Sequence, residues 1–209
     1  MAAVFLAVAA FCALSFFFFD IPLASFTKTL PKEVSSIFEK ITWFGRSTSY
    51  LVVSCLLCLF FTYARRNGIF AKRALLVFLS IGVSGLLTDG LKTIFSRCRP
   101  VMLFRDGLYG FNLFEFHAKY EFNSFPSGHA TTMGALAAVL WAIRPAYGVA
   151  GSVLALLVMA SRIVLGSHFL SDVVFGAYVG FATAAFFSAI LHRRDRENTE
   201  KAMELNEIR

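Results

Sequence analysis

His168 and Asp172 stand four residues apart in the stretch "SRIVLGSHFLSD", residues 161–172. On a helix that spacing is one turn. A carboxylate so placed can accept a proton from one imidazole nitrogen and leave the other free to attack. Gly166 can end the preceding helix and Ser167 can cap the next, with Arg162 on the helix end before them. A second histidine, His129, follows Pro126-Ser127-Gly128 at the mouth of an apolar run. Proline suits a first helical turn, with Asn123 or Ser124 as cap, and a helix N-terminus offers free N–H groups and a positive dipole end to an anion. Gly128 lets that backbone approach closely, and Ser127 adds a hydroxyl. The third cluster is "KTIFSRCRP", residues 92–100. Lys92 and Arg99 are two turns apart and share a face if the helix continues to Pro100, which stops it. Arg97 points elsewhere and reads as a snorkelling interface cation. Cations, a helix-terminal nest, two histidines and an orienting carboxylate are the inventory for phosphoryl transfer through a covalent intermediate. Residue types alone leave open which histidine attacks; the nearby carboxylate favours His168.

These residues need elements that bring them to one place, and composition says what those are. Of 209 residues 57% are hydrophobic and only 16% charged, with a mean hydropathy of +0.68, a balance tilted towards lipid. Six apolar runs are long enough to span a bilayer: residues 2–19, 47–64, 74–91, 126–143, 147–164 and 173–191. The first is read as a retained helix and not a cleaved leader, because it lacks a positive start and Phe16 to Phe19 occupy the place of a small-residue cleavage site. The expected fold is therefore all-α: a polytopic membrane protein, a single bundle of six transmembrane helices over residues 1–191, followed by a charged cytoplasmic tail, 192–209. The net charge of +7 concentrates in Arg65, Arg66, Lys72 and Arg73 and in the start of the tail. With six spans these segments share one side, the cytoplasm by the positive-inside rule. The charge therefore speaks for the bilayer as partner, and not for nucleic acid. Both termini then face the cytoplasm, and the three clusters converge at the extracytoplasmic end. Cys12, Cys55, Cys58 and Cys98 suggest no disulfide framework, and no histidine pairs with cysteine at zinc-like spacing.

The three clusters together resemble the signature of the type-2 phosphatidic acid phosphatases, which share a fold with vanadium haloperoxidases. That signature is Lys-x6-Arg-Pro, Pro-Ser-Gly-His and Ser-Arg-x5-His-x3-Asp. Here it is Lys92 with Arg99-Pro100, Pro126 to His129, and Ser161-Arg162 with His168 and Asp172. The resemblance covers the third apolar run to the sixth; the first two resemble the family only in being apolar. It implies that His168 attacks phosphorus and forms a phosphohistidine, that Asp172 orients it and that His129 protonates the leaving oxygen. It implies further that Lys92, Arg99, Arg162, Ser127 and the Gly128 backbone hold the phosphate oxygens, with no metal and no cofactor. The implied substrate is a membrane lipid carrying a phosphate or diphosphate: a polyprenyl diphosphate, phosphatidylglycerophosphate, phosphatidic acid or a lipid A phosphate. No residue decides among them.

Smaller features complete the reading. Asp89 steers or neutralises Lys92. The aromatics of residues 101–125, from Phe104 to Phe125, fit a lid gripping a lipid chain or an aromatic belt. Val34, Ile37, Phe38 and Ile41 form an apolar stripe beside charged residues, as in a helix lying on the outer membrane surface. Small size, short loops and the absence of an N-glycosylation sequon suggest a bacterial inner membrane. A lipid transporter without hydrolysis, or a vanadate-dependent oxidase, are the alternatives. The histidines and Asp172 argue against the first, and the spanning runs against the second.

Overall fold

Apolar runs broken by short polar stretches fold into nine α-helices in the computed structural model, which describes residues 2–116 and 119–207. They are α1 (Ala2–Phe18), α2 (Asp20–Lys28), α3 (Lys32–Thr42), α4 (Ser47–Leu59), α5 (Gly68–Phe95), α6 (Pro100–Asp106), α7 (Gly128–Ile143), α8 (Pro145–Val164) and α9 (Leu170–Glu207). No strand forms among the described residues, and the chain is all-α as expected. Among the described residues four helical stretches are long and apolar enough to cross a membrane: Lys32–Ala64, Gly68–Phe95, Pro145–Val164 and Leu170–Arg194. The α1–α2 pair, bent by 58°, makes a fifth when counted as one span.

The fourth apolar run falls short of expectation. Pro126 and Ser127 precede its helix, and the 16 residues of α7 rise only about 24 Å, less than the ~30 Å hydrocarbon core. What α7 loses in length it makes up in burial. It packs on α5, α8 and α9, and its Met133, Ala135 and Val139 are essentially inaccessible. Ala135 and Val139 join Leu76, Ile81 and Ala184 in one apolar cluster, while Met133 joins Ala137, Ala155 and Val158 in another. Gly180 lets α9 touch α7 backbone to backbone, since a Cβ there would overlap the Thr131 carbonyl and the Ala135 nitrogen. Close-packed apolar contacts of this kind hold the centre of the bundle.

Helix ends decide where the polar clusters go. Ser96, in the left-handed region at φ 39, stops α5 after Phe95. Lys92 and Arg99 consequently do not share a helical face, and Arg99 sits on an extended segment before α6. The N-cap of α7 is Ser127, not Asn123 or Ser124, and the Phe125–Pro126 peptide is cis. Val164 ends α8, Gly166 turns the chain at φ 59, and α9 begins at Leu170. The C-termini of α5 and α8 and the N-termini of α7 and α9 thus meet at one end. At the other end Lys72 and Arg73 lie beside Ile143 and His192, around one cleft. Helix α9 runs through residue 192 without a break; the charged side chains of 195–202 lie outside the described residues.

Candidate active site

Neutral imidazole has one donor and one acceptor nitrogen, so its neighbours fix the tautomer. His168 is 3% exposed, in the turn between α8 and α9, and its Nδ1 lies 2.7 Å from the Ser124 carbonyl oxygen. A carbonyl can only accept, so Nδ1 carries the proton and Nε2 keeps its lone pair. Burial pushes the His168 pKa down to about 4; Arg99 and Arg162 push the same way and Asp172 opposes them. The result is a neutral imidazole with a free nucleophilic nitrogen at neutral pH.

Asp172 reaches His168 differently from the sequence-based expectation. Its Oδ2 is 3.8 Å from Nδ1, beyond hydrogen-bond range. The same oxygen accepts from the Ser124 hydroxyl at 2.6 Å and the Phe169 amide at 2.8 Å, and Oδ1 accepts from Arg97. Asp172 therefore holds Ser124, and the Ser124 carbonyl holds the imidazole. The carboxylate still supplies a nearby negative charge.

The other sequence-identified residues gather around this turn. The Lys92 ammonium lies beside Gly128, 3.5 Å from where a Cβ would stand, at the mouth of α7. Its ion pair with Asp89 is 3.2 Å long, but Asp89 is largely exposed and such pairs contribute little. Arg99 donates to the Tyr120 carbonyl and hydroxyl and to the carbonyls of Ser167 and Asn123, tying two loops together. Arg162, in the last turn of α8, donates from Nη1 to Thr42 on α3 at 2.8 Å. His129, on the first turn of α7, lies in the field of Arg162, His168, Arg46 and Lys92. Gly45 packs directly on its ring, where any side chain would collide.

Buried donors are almost always paired. Among the described residues four buried polar atoms have no protein partner: Ser80 Oγ, Arg97 Nε, Ser127 Oγ and Arg162 Nε. Two of the four belong to the residues expected to grip phosphate.

Sequence reasoning missed part of the arrangement. Arg97 is not a snorkelling cation: it is wholly buried, ion-paired to Asp20 and Asp172, and ringed by Phe16, Tyr109, Phe111 and Phe169. The site also involves Asp20, Ser171 and the Ser124 carbonyl. One signal was available, because Asp20 is a lone acid at the end of an apolar run, where an ionisable residue is costly without a role. The aromatics of 101–125 divide. Tyr109, Phe111 and Phe125 pack inward, while Phe114, Phe116 and Tyr120 are exposed.

The helical bundle and the polar end it carries define a membrane phosphatase of the type-2 phosphatidic acid phosphatase class. The chain belongs to the PAP2 superfamily, whose sequence profile matches residues 73–196. It is 33% identical over 192 residues to a lipid A 1-phosphatase of Rhizobium etli, covering 84% of this chain and 80% of the relative. The same identity holds to a lipid A 1-phosphatase of Rhizobium johnstonii, with 76% of that protein covered. Two crystal structures share the fold. One is Aquifex aeolicus LpxE (TM-score 0.60, 24% identity, 80% of this chain and 93% of that one). The other is a transmembrane PAP2-type phosphatidylglycerolphosphate phosphatase of Bacillus subtilis (TM-score 0.69, 21% identity, 92% and 96%). The protein is thus an integral membrane enzyme that hydrolyses lipid phosphate esters.

Proposed function

We propose that the enzyme removes a phosphate from a membrane lipid through a phosphohistidine on His168, with a lipid A-type glycolipid phosphate as the first substrate to test. The observation that carries the chemistry is a buried histidine whose tautomer is fixed for attack; the unpartnered Ser127 Oγ and Arg162 Nε, both on residues of the phosphate-binding set, support it. The substrate choice rests on the two lipid A 1-phosphatases at 33% identity; polyprenyl diphosphates, phosphatidylglycerophosphate and phosphatidic acid are the other substrates to compare.

In the first step His168 Nε2 attacks phosphorus as the P–O bond to the lipid breaks. His129 gives its proton to the leaving oxygen. A bound phosphate dianion favours that proton by offsetting the surrounding cations. Lys92, Arg99, Arg162, Ser127 and the Gly128 amide hold the remaining oxygens, where charge builds in the transition state. In the second step water attacks phosphorus, His129 takes its proton and the P–N bond breaks. These cations supply the positive charge, so no step calls for a metal.

We place all six apolar segments in the membrane as a single domain over residues 1–191, with α7 short but enclosed, and 192–209 as a cytoplasmic tail. Both termini and the basic segment 65–73, which includes the start of α5, then lie in the cytoplasm of a bacterial inner membrane and the site opens on the extracytoplasmic face. Four cations without an acid in that segment support this orientation. The test is phosphate release from purified lipids by wild type and His168→Ala, with and without EDTA. Turnover of the lipid A phosphate that survives EDTA, yields to vanadate and disappears in His168→Ala is expected. A requirement for an added divalent ion would refute the metal-free scheme.

A further inference from the structure

Asp20 lies far outside the stretch matched by the family's profile, on the first turn of α2, yet it is 1% exposed and faces the α8–α9 turn. Five donors converge on it, the farthest being the Tyr109 hydroxyl at 3.5 Å from Oδ2. The Ser15 hydroxyl (2.7 Å) and the Ser171 amide (3.0 Å) reach Oδ1, while Arg97 Nη2 (2.7 Å) and the Ser171 hydroxyl reach Oδ2. Every partner donates, so only a carboxylate fits; an amide would turn an N–H₂ group towards donors.

The contacts continue beyond Asp20 in one direction. Arg97 uses Nη2 on Asp20 and Nη1 on Asp172 and on the Ser171 hydroxyl. Asp172 accepts from the Ser124 hydroxyl, and the Ser124 carbonyl takes the Nδ1 proton of His168. An unbroken run of buried polar contacts therefore joins the N-terminal helix pair to the nucleophile. The three ions are fully desolvated, and removing one leaves the others uncompensated, so the run has little freedom to rearrange.

We propose that Asp20 is a positioning residue for the reaction: through Arg97 and Asp172 it fixes Ser124, and so the tautomer and aim of His168. The inference rests on the reading of His168 as the nucleophile. It gives the bent α1–α2 pair a part in catalysis beside the three motifs of α5 to α9. Asp20 touches no substrate, so its loss should lower kcat and leave KM nearly unchanged.

The test compares Asp20→Asn, Ser124→Ala and the double variant by steady-state kinetics on one lipid phosphate, with melting curves in detergent. Asp106→Asn, an exposed ion-paired carboxylate, is the control and should match wild type. Outer-shell partners of metal-ligating histidines are commonly worth about 10–100-fold, and by analogy a kcat loss of that size is expected for Asp20→Asn at unchanged KM. Because Ser124 lies downstream, the double variant should fall by less than the product of the single losses. A folded Asp20→Asn with wild-type kcat, a loss confined to KM, or losses that multiply would each overturn the proposal. Should Asp20→Asn fail to fold, Ser171→Ala loosens the hold on Asp20 and Arg97 by removing the hydroxyl between them; a kcat loss at constant KM is expected, and wild-type kcat refutes it. An active His168→Ala would instead overturn the phosphohistidine reading itself.

Discussion

At the scale of single residues, the decisive fact is that His168 is buried, neutral and hydrogen-bonded through Nδ1. Its depressed pKa has a consequence for stability. In the unfolded chain the imidazole titrates near 6.5 and in the folded one near 4, so the unfolded state binds the extra proton first as pH falls. Stability present above pH 6.5 is lost progressively down to pH 4, by on the order of 3 kcal/mol at the low end. The melting temperature of wild type in detergent should drop over that window, and the drop should be shallower in His168→Ala. Equal slopes would mean that His168 is not held neutral. Arg162 offers a second check. Its Nε has no protein partner, and if it binds the oxyanion as proposed, Arg162→Ala should cost about 10²–10³ in kcat, the usual worth of one transition-state donor. It should also weaken vanadate inhibition; unchanged inhibition would remove Arg162 from the anion site.

At the scale of elements, the 3-10 turn Trp43–Gly45 is a wall of the site, because Gly45 packs on the His129 ring and Val158. Gly45→Ala should displace His129 and lower kcat/KM by about tenfold or more, since small misplacements of a proton donor are costly. Kinetics near wild type would show that the wall yields. The long helices α1, α4, α5, α7, α8 and α9 were legible from their apolar runs, and so were the motif residues at their ends; the short α2 and α6 were not. The helix breaks were not. Ser96 in a left-handed conformation separates Lys92 from Arg99, and nothing in "KTIFSRCRP" signals it. The Asp20–Arg97–Asp172 contact was illegible for another reason: its members are 77 and 75 residues apart, and local spacing says nothing about such pairs.

At the scale of the whole molecule, antiparallel helices sort the polar chemistry to one end and the basic loop to the other. The proposed sidedness rests on this separation and can be measured in cells. A cysteine replacing Leu113, exposed in the loop before α7, should react with a membrane-impermeant thiol reagent from the outer face of the inner membrane. One replacing the exposed Arg65 should react only after the membrane is opened. The reverse pattern would put the site in the cytoplasm and leave the chemistry standing. Cys98 is buried and should stay silent as the native control.

The account stands most directly on the covalent intermediate. Wild type mixed briefly with a ³²P-labelled lipid phosphate and quenched in base should carry label on protein that is stable to alkali and lost in acid, as a phosphoramidate is. His129→Ala, slowed in both proton transfers, should still label when the leaving group needs no protonation, and His168→Ala should not label at all. Label of the same acid-labile kind on His168→Ala, or none on wild type during turnover, would contradict the assignment of His168 as the nucleophile.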